Sequence, residues 1–276
     1  MNLYQTAVPR RERAAFDRGA TLRTAAPVIV IGGADRAVAE DLRLLNRRVS
    51  LVTVPEGGNT DTLRERFLKA GVDLQYCLPG INGWEQMTPD RLRPLLPAFN
   101  HAEMVITDSN LPEETLAWIA GHVTVPLAAD PAPGKHAGKL KALLPRLAIL
   151  KTECRETEQL TGFPVREDAD IPRAAEALLG LGAQRVYITL GSRGAWAGSG
   201  REDGTLVPCA PGQVVCTAGC GDAFLAAAAD AFLNGLGTPE GARRGLAAAA
   251  VCAEDSAAVS PRLSREAIDR KLAVSM

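Results

Sequence analysis

Short apolar runs alternate with stretches of helical length along most of this 276-residue chain. Val28–Ile31, Val49–Val54, Met104–Thr107, Val125–Ala129, Leu147–Leu150 and Val186–Leu190 read as strands. Between them, helices are predicted over 35–46, Thr60–Ala70, Pro112–Gly121, near 137–144 and over 170–181. In the first of these, Val38, Leu42 and Leu45 recur at helical spacing. Single helices between consecutive strands require parallel pairing through right-handed crossovers. The strand runs are continuous rather than alternating, as when both faces of a sheet are covered. The expected fold is α/β, a three-layer αβα domain with a mostly parallel central sheet. It is assigned to residues 27–276, after an arm at 1–26. The turn-rich segment 198–206 reads as a hairpin connection. Two Ala-rich helices are expected near 219–234 and 239–253.

Composition removes several classes of function. Lys and Arg total 31 against 32 Asp and Glu, so the basic excess of a nucleic-acid binder is missing. No apolar run reaches the roughly 18–20 residues of a membrane span. The six cysteines, at 77, 154, 209, 216, 220 and 252, form no C-x-x-C pair, and His101, His122 and His136 are scattered. That spacing argues against zinc and for reduced thiols in a cytoplasmic protein. The arm carries Arg10, Arg11, Arg13, Arg18 and Arg23 without the apolar segment of a signal peptide.

Chemistry concentrates in Val214–Phe232, VVCTAGCGDAFLAAAADAF. A short strand is expected to meet a turn holding Gly219 and Gly221, then a long helix. Unpaired amides at a helix start attract anions, and glycine lets a phosphate approach closely. Asp222 lies at the same helix start. There it either caps the helix or accepts a proton from a hydroxyl attacking the bound phosphate.

TAGCGDAF resembles the signature D-T-x-G-A-G-D-x-F of the ribokinase-like (phosphofructokinase-B) kinases. TLGSRGAW, Thr189–Trp196, resembles that family's T-L-G-x-x-G turn, and KTECRETEQLTG, Lys151–Gly162, its K-P-N-x-x-E-x-x-x-L-T-G segment. VITDSNLPEETLAWI and INGWEQMTPDRL look most like pseudouridine kinases. The resemblance implies an ATP- and magnesium-dependent kinase acting on a hydroxyl of a sugar or nucleoside. Asp222 would be the general base, with Gly219, Cys220 and Gly221 as the anion hole. Thr189, Gly191, Ser192, Arg193, Gly194, Lys151, Glu153 and Leu246 would serve the nucleotide. Glu153 and Glu156 would lie near magnesium. Gly32, Gly33, Asp35 and Asn110 would face the acceptor. Two alternatives stay open: Asn110 as an early helix cap, and Arg193 as a solvated side chain.

The sequence also departs from that family. Its small β-sheet lid is usually built from two insertions, and neither has room here. The first strand runs directly into GGADRAVAEDLRLL, and GVDLQY reaches PGING almost at once. The lid is therefore expected to be absent or vestigial, leaving a monomer or a homodimer formed elsewhere. Ala37 stands where the family has a sugar-binding Asn, EGGNTD replaces G-D-D-x-x-G, Glu153 replaces an Asn, and Cys216 replaces the Asp opening the signature. Two readings follow: a working kinase, or a relative that binds a nucleotide or metabolite without phosphorylating it. The partner in either case is a small molecule, with no nucleic acid or membrane.

Overall fold

A computed structural model describes residues 25–32, 36–54, 60–78, 83–132, 136–200 and 202–274. Most of the arm, together with Gly33 and Asp35, lies outside the described residues. The strands are β1 (Val28–Ile31), β2 (Val49–Val52), β3 (Met104–Asp108), β4 (Leu127–Asp130), β5 (Leu147–Glu153), β6 (Arg185–Thr189), β7 (Ala195–Ser199) and β8 (Glu202–Val207). The longer helices are α1 (Arg36–Leu44), α2 (Thr60–Ala70), α3 (Glu113–His122), α4 (Cys154–Thr161), α5 (Asp170–Gly180), α6 (Cys220–Leu233), α7 (Thr238–Ala253) and α8 (Arg265–Val274). All eight strands form one sheet in the order β2-β1-β3-β4-β5-β6-β7-β8. The pairs from β2 through β6 are parallel, and β7 and β8 close the edge antiparallel.

The continuous apolar strands divide their side chains between two cores. Val28, Val30, Leu51, Ile106, Ile149 and Tyr187 face one layer, with α1, α6, α7 and α8. Ile29, Ile31, Val52, Val105, Leu150 and Ile188 face the other, with α3, α4 and α5. A strand alternates its side chains between faces, so a strand buried on both sides must be apolar throughout. The helix α6 lies in the interior because Ala226, Ala227, Ala228 and Ala229 let neighbouring elements approach closely. A methyl at Gly245 of α7 would come 2.7 Å from the ring of Phe224. Burying that ring contributes about 1.5–3 kcal/mol.

One ionic network pins α6 to distant segments. Asp230, 2% exposed, accepts from Arg47 Nε at 2.7 Å and from Arg265 Nη2 at 2.6 Å. Arg47 also reaches Glu103 at 3.1 Å. Removing one partner of such a buried cluster costs more than the pair contributes, because a charge is left unpaired.

Several expectations are corrected. No strand precedes Gly219: Val214 and Val215 are exposed in irregular chain, since the sheet already ends at β8. Residues 137–142 and 144–146 form 3-10 turns rather than a helix, with Pro145 interrupting the segment. The strand β5 runs past Leu150 to Glu153, and α4 and α8 lie where no helix was expected. The segment 198–206 does hold a hairpin, between β7 and β8.

Candidate active site

In a parallel sheet, ligands gather at the carboxyl ends of the strands, where neighbouring crossovers diverge. Here β1 leads to β2 on one side and pairs with β3 on the other, so the strand order reverses beside Gly32. The strand ends bring Gly32, Asp108, Asp130, Glu153 and Thr189 to that edge. Asp108 lies level with Asp130, and Glu153 with Thr189. The chain at Gly32 packs on Asp108: a methyl there would come 2.7 Å from the carboxylate.

The start of α6 points into the same edge. Gly219 precedes the helix with φ +78°, and a methyl on it would come 1.8 Å from the Ala258 carbonyl oxygen. Only glycine meets both demands. The Cys220 amide donates to Thr217 O at 3.3 Å, and the Ala223 amide closes the first helical turn on Gly219 O at 2.9 Å. The amides of Gly221 and Asp222 lie between them at the helix start, where amides lack intrahelical partners. Of the predicted anion-hole residues, Cys220 thus has its amide committed to the turn itself.

Asp222 is half-buried at this helix start. Burial raises its carboxyl to about 6; the Lys151 ammonium pulls it down and Asp108 pushes it up. A carboxyl with that poise gains and loses a proton near neutrality, as a general base requires. The neighbouring Asp130 was not anticipated. Its two carboxylate oxygens accept from Lys151 Nζ at 3.0 and 2.8 Å, and both residues are buried. A second unanticipated carboxyl is Asp41 of α1. It is fully buried, has no hydrogen-bond partner among the described residues, and is raised to about 9 by burial, with Asp222 and Cys252 adding to the effect.

The predicted nucleotide residues separate into two groups. Gly191, Ser192 and Arg193 form an exposed 3-10 turn after β6, and Thr189 Oγ1 ties that strand end to Thr152 O at 3.2 Å. A methyl on Gly194, at φ +101°, would come 2.0 Å from Val207 O, so the turn is locked onto β8. Arg193 pairs with Asp168 while its side chain stays exposed to solvent. Lys151 and Leu246 are placed differently. Lys151 is 4% exposed and turned inward to Asp130. Leu246 is buried in the apolar core on α7.

Glu153 and Glu156 form a capping box at the start of α4: Glu156 Oε2 accepts from the Glu153 amide at 2.8 Å, and the Glu153 side chain accepts from the Glu156 amide. Glu153 is exposed and Glu156 buried. No cluster of three or more His, Cys, Asp or Glu suited to a metal occurs among the described residues. On the acceptor side, Asn110 donates from its amide to Asp108 Oδ1 at 2.7 Å and from Nδ2 to Oδ2 at 3.2 Å. It is not a helix cap, because Pro112 precedes α3.

Known proteins resemble this chain in sequence and in fold. The model for the pfkB family carbohydrate kinases matches residues 84–265. The uncharacterized sugar kinase YeiI of Escherichia coli (strain K12) is 28% identical over 261 residues, covering 85% of this chain and 72% of its own. The pseudouridine kinase of the same organism is 26% identical over 239 residues, covering 77% and 76%. Among solved structures, the Arabidopsis thaliana ribokinase complexed with ribose and ATP superposes with a TM-score of 0.78 at 22% identity, covering 90% of this chain and 99% of that one. The Thermotoga maritima ribokinase gives the same TM-score at 20% identity and the same coverage.

Proposed function

The chain belongs to the pfkB family of carbohydrate kinases, and from that premise we propose that it transfers a phosphoryl group from ATP to a hydroxyl of a sugar or nucleoside, most like pseudouridine. The observation that carries this reading is Asp222 at the glycine-locked start of α6, half-buried and raised to about 6. Asp222 accepts the proton of the attacking hydroxyl. The Gly221 and Asp222 amides, with Gly219 shaping the turn, hold the charge on the transferring group. The turn 191–194 and the end of β6 flank the triphosphate. The acceptor lies toward Gly32 and Asn110, with Gly33 and Asp35 following in the chain.

The residues present fit a magnesium ion carried with the triphosphate. Glu153 offers an exposed carboxylate at the sheet edge, a hard oxygen donor, and Glu156 fixes its backbone. Magnesium supplies charge neutralisation on the phosphates. A second reading, nucleotide binding without transfer, draws on Ala37 and Cys216, which carry neither the amide nor the carboxylate found at those places in the kinases this sequence resembles.

A coupled assay with ATP, magnesium and a panel of nucleosides and sugars, run beside Asp222→Ala, tests the proposal. Turnover that falls about 100-fold or more in the variant supports it. Turnover no higher than the variant's with every acceptor overturns it. Tight nucleotide binding by calorimetry without turnover would then establish the second reading.

A further inference from the structure

We propose that Asp130 is a positioning residue that clamps Lys151 beneath the Gly221 peptide, so that the ammonium serves Asp222 and the anion hole instead of gripping the nucleotide. The proposal rests on the kinase reading for its chemistry, but its geometry stands apart from that reading. Both oxygens of Asp130 engage Lys151 Nζ, at 3.0 and 2.8 Å, and neither residue is more than 7% exposed. A lysine committed in this way is poorly placed to follow a triphosphate in the open cleft. The clamp also abuts the helix start. A methyl at Gly221 would come 2.9 Å from Nζ and 3.9 Å from Asp130 Oδ2. Glycine at 221 therefore leaves space for a cation as well as for a phosphate.

Charge explains what the clamp does. Asp222 is faced by Lys151 from β5 and by Asp108 from β3; Asp130 from β4, Asp41 from α1 and Cys252 from α7 also feel it, and Cys220 lies on its own helix. Glu153 and Glu156 act on Lys151 from the far side. Lys151 is the cation that the described residues set among these carboxyls. A free lysine would spread its charge over many rotamers. Held by two hydrogen bonds, it presents that charge at one point, beside the amides of the helix start. The two partners then act on Asp222 with opposite sign. The ammonium favours the carboxylate, and Asp130 offsets part of that pull.

The test follows the titration of Asp222 by carbon-13 carboxyl NMR in the ligand-free protein, and the pH profile of kcat/KM in the assay above. Lys151→Met should raise the Asp222 midpoint by about 1 unit or more, and Asp130→Asn, which releases the ammonium from its partner, should move it the other way by less. The double variant leaves no unpaired charge buried and should return the midpoint close to that of the parent. KM for ATP should stay within about threefold while kcat falls in both single variants. Should Lys151→Met fail to fold, Asp130→Asn and the double variant carry the same comparison. An unchanged Asp222 midpoint in the single variants overturns the clamp. So does a rise in KM for ATP of about 10-fold at unchanged kcat, which would make Lys151 a nucleotide contact. A protein inactive with every acceptor overturns the kinase reading instead, and the NMR titration still decides for or against the clamp.

Discussion

The two halves of the sheet edge are built from different material. On the side of α6, Gly219 and Gly194 are fixed by close backbone approaches, Gly221 lies against the Lys151 side chain, and Lys151 is held by a buried ion pair. Nearly every feature there depends on main-chain geometry. On the other side, around Gly32, side chains carry the arrangement: Asn110 donates to Asp108, and Ala37 stands on α1. A phosphate is the same in every member of such a family, so a backbone cradle serves all of them. Acceptors differ, and side chains can change without disturbing the fold. Departures from the resembled pattern fall on both halves, Ala37 on α1 and Glu153 and Cys216 on the phosphate side; under the proposed function, Ala37 is the one that would bear on the choice of acceptor.

The strongest way to break this contrast is Asp222→Asn. It keeps the shape of the helix start and removes the proton acceptor, so kcat should fall about 10²–10⁴-fold while nucleotide affinity by calorimetry is unchanged. A fall in affinity with kcat retained would move Asp222 from chemistry to binding. Gly219→Ala comes next. Its methyl would overlap the Ala258 carbonyl, 1.8 Å away. The loss should be about 10²–10³-fold in kcat, with a lowered melting temperature. A variant that melts and turns over normally would show the turn to be more pliant than the close approach implies.

The pH profile sharpens the phosphate side further. Asp222 must be unprotonated to accept a proton, and burial has raised it to about 6. Activity should therefore fall as pH drops through about 6, and Asp222→Ala should lose that limb of the profile. Asp41 gives a stability signature on the other side. Its carboxyl is raised from 3.8 to about 9, so the folded protein holds a proton that the unfolded chain releases. Wild-type stability should decline as pH rises across that window. Asp41→Asn should melt with the wild type near pH 4 and gain on it progressively as pH rises toward 9, because asparagine has no proton to lose. Parallel melting curves across the range would show that Asp41 has a partner. The smallest effect is expected from Ala37→Asn. One restored hydrogen bond of about 0.5–1.5 kcal/mol should tighten the acceptor about 2- to 10-fold. No gain with any acceptor would place this substrate away from α1.

The fold was legible wherever burial repeats with a period. The boundaries of β1 and α2 match their expected limits because glycines follow the one and precede the other in the sequence. The helix α4 escaped notice because CRETEQLT has little apolar content, yet Glu153 and Glu156 stand at capping-box spacing, and that sign was available. The exposed pair Val214 and Val215 misled in the opposite direction: β-branched residues suggest a strand, but no neighbouring strand was left to pair with them. At the site, the turn 219–222 and the loop 191–194 were readable from their glycines. Asp108 and Asp130 were not. Each closes an apolar strand with a carboxylate, MVITD and LAAD, at the sheet's carboxyl edge. That pattern signals an active site only once strand direction is known. Lys151 was expected beside the nucleotide, but its pairing with Asp130 was not legible, because that partner lies 21 residues earlier in another strand.

The order of the sheet carries a consequence for how the chain is made. From β3 to β8 each strand lies beside its predecessor, so this part can be added piece by piece as it leaves the ribosome. The first two strands form the opposite edge, and α1 is covered by α6, a segment synthesised nearly two hundred residues later. The ion pair from Arg47 to Asp230 spans a separation of 183 residues. Such long-range closures are slow, since the chain must be brought together before any contact rewards it. The edge beside Gly32 and the start of α6 are thus brought together in the same late event. A nascent chain stopped short of α6 would present much of the sheet without the glycine turn at 219–221.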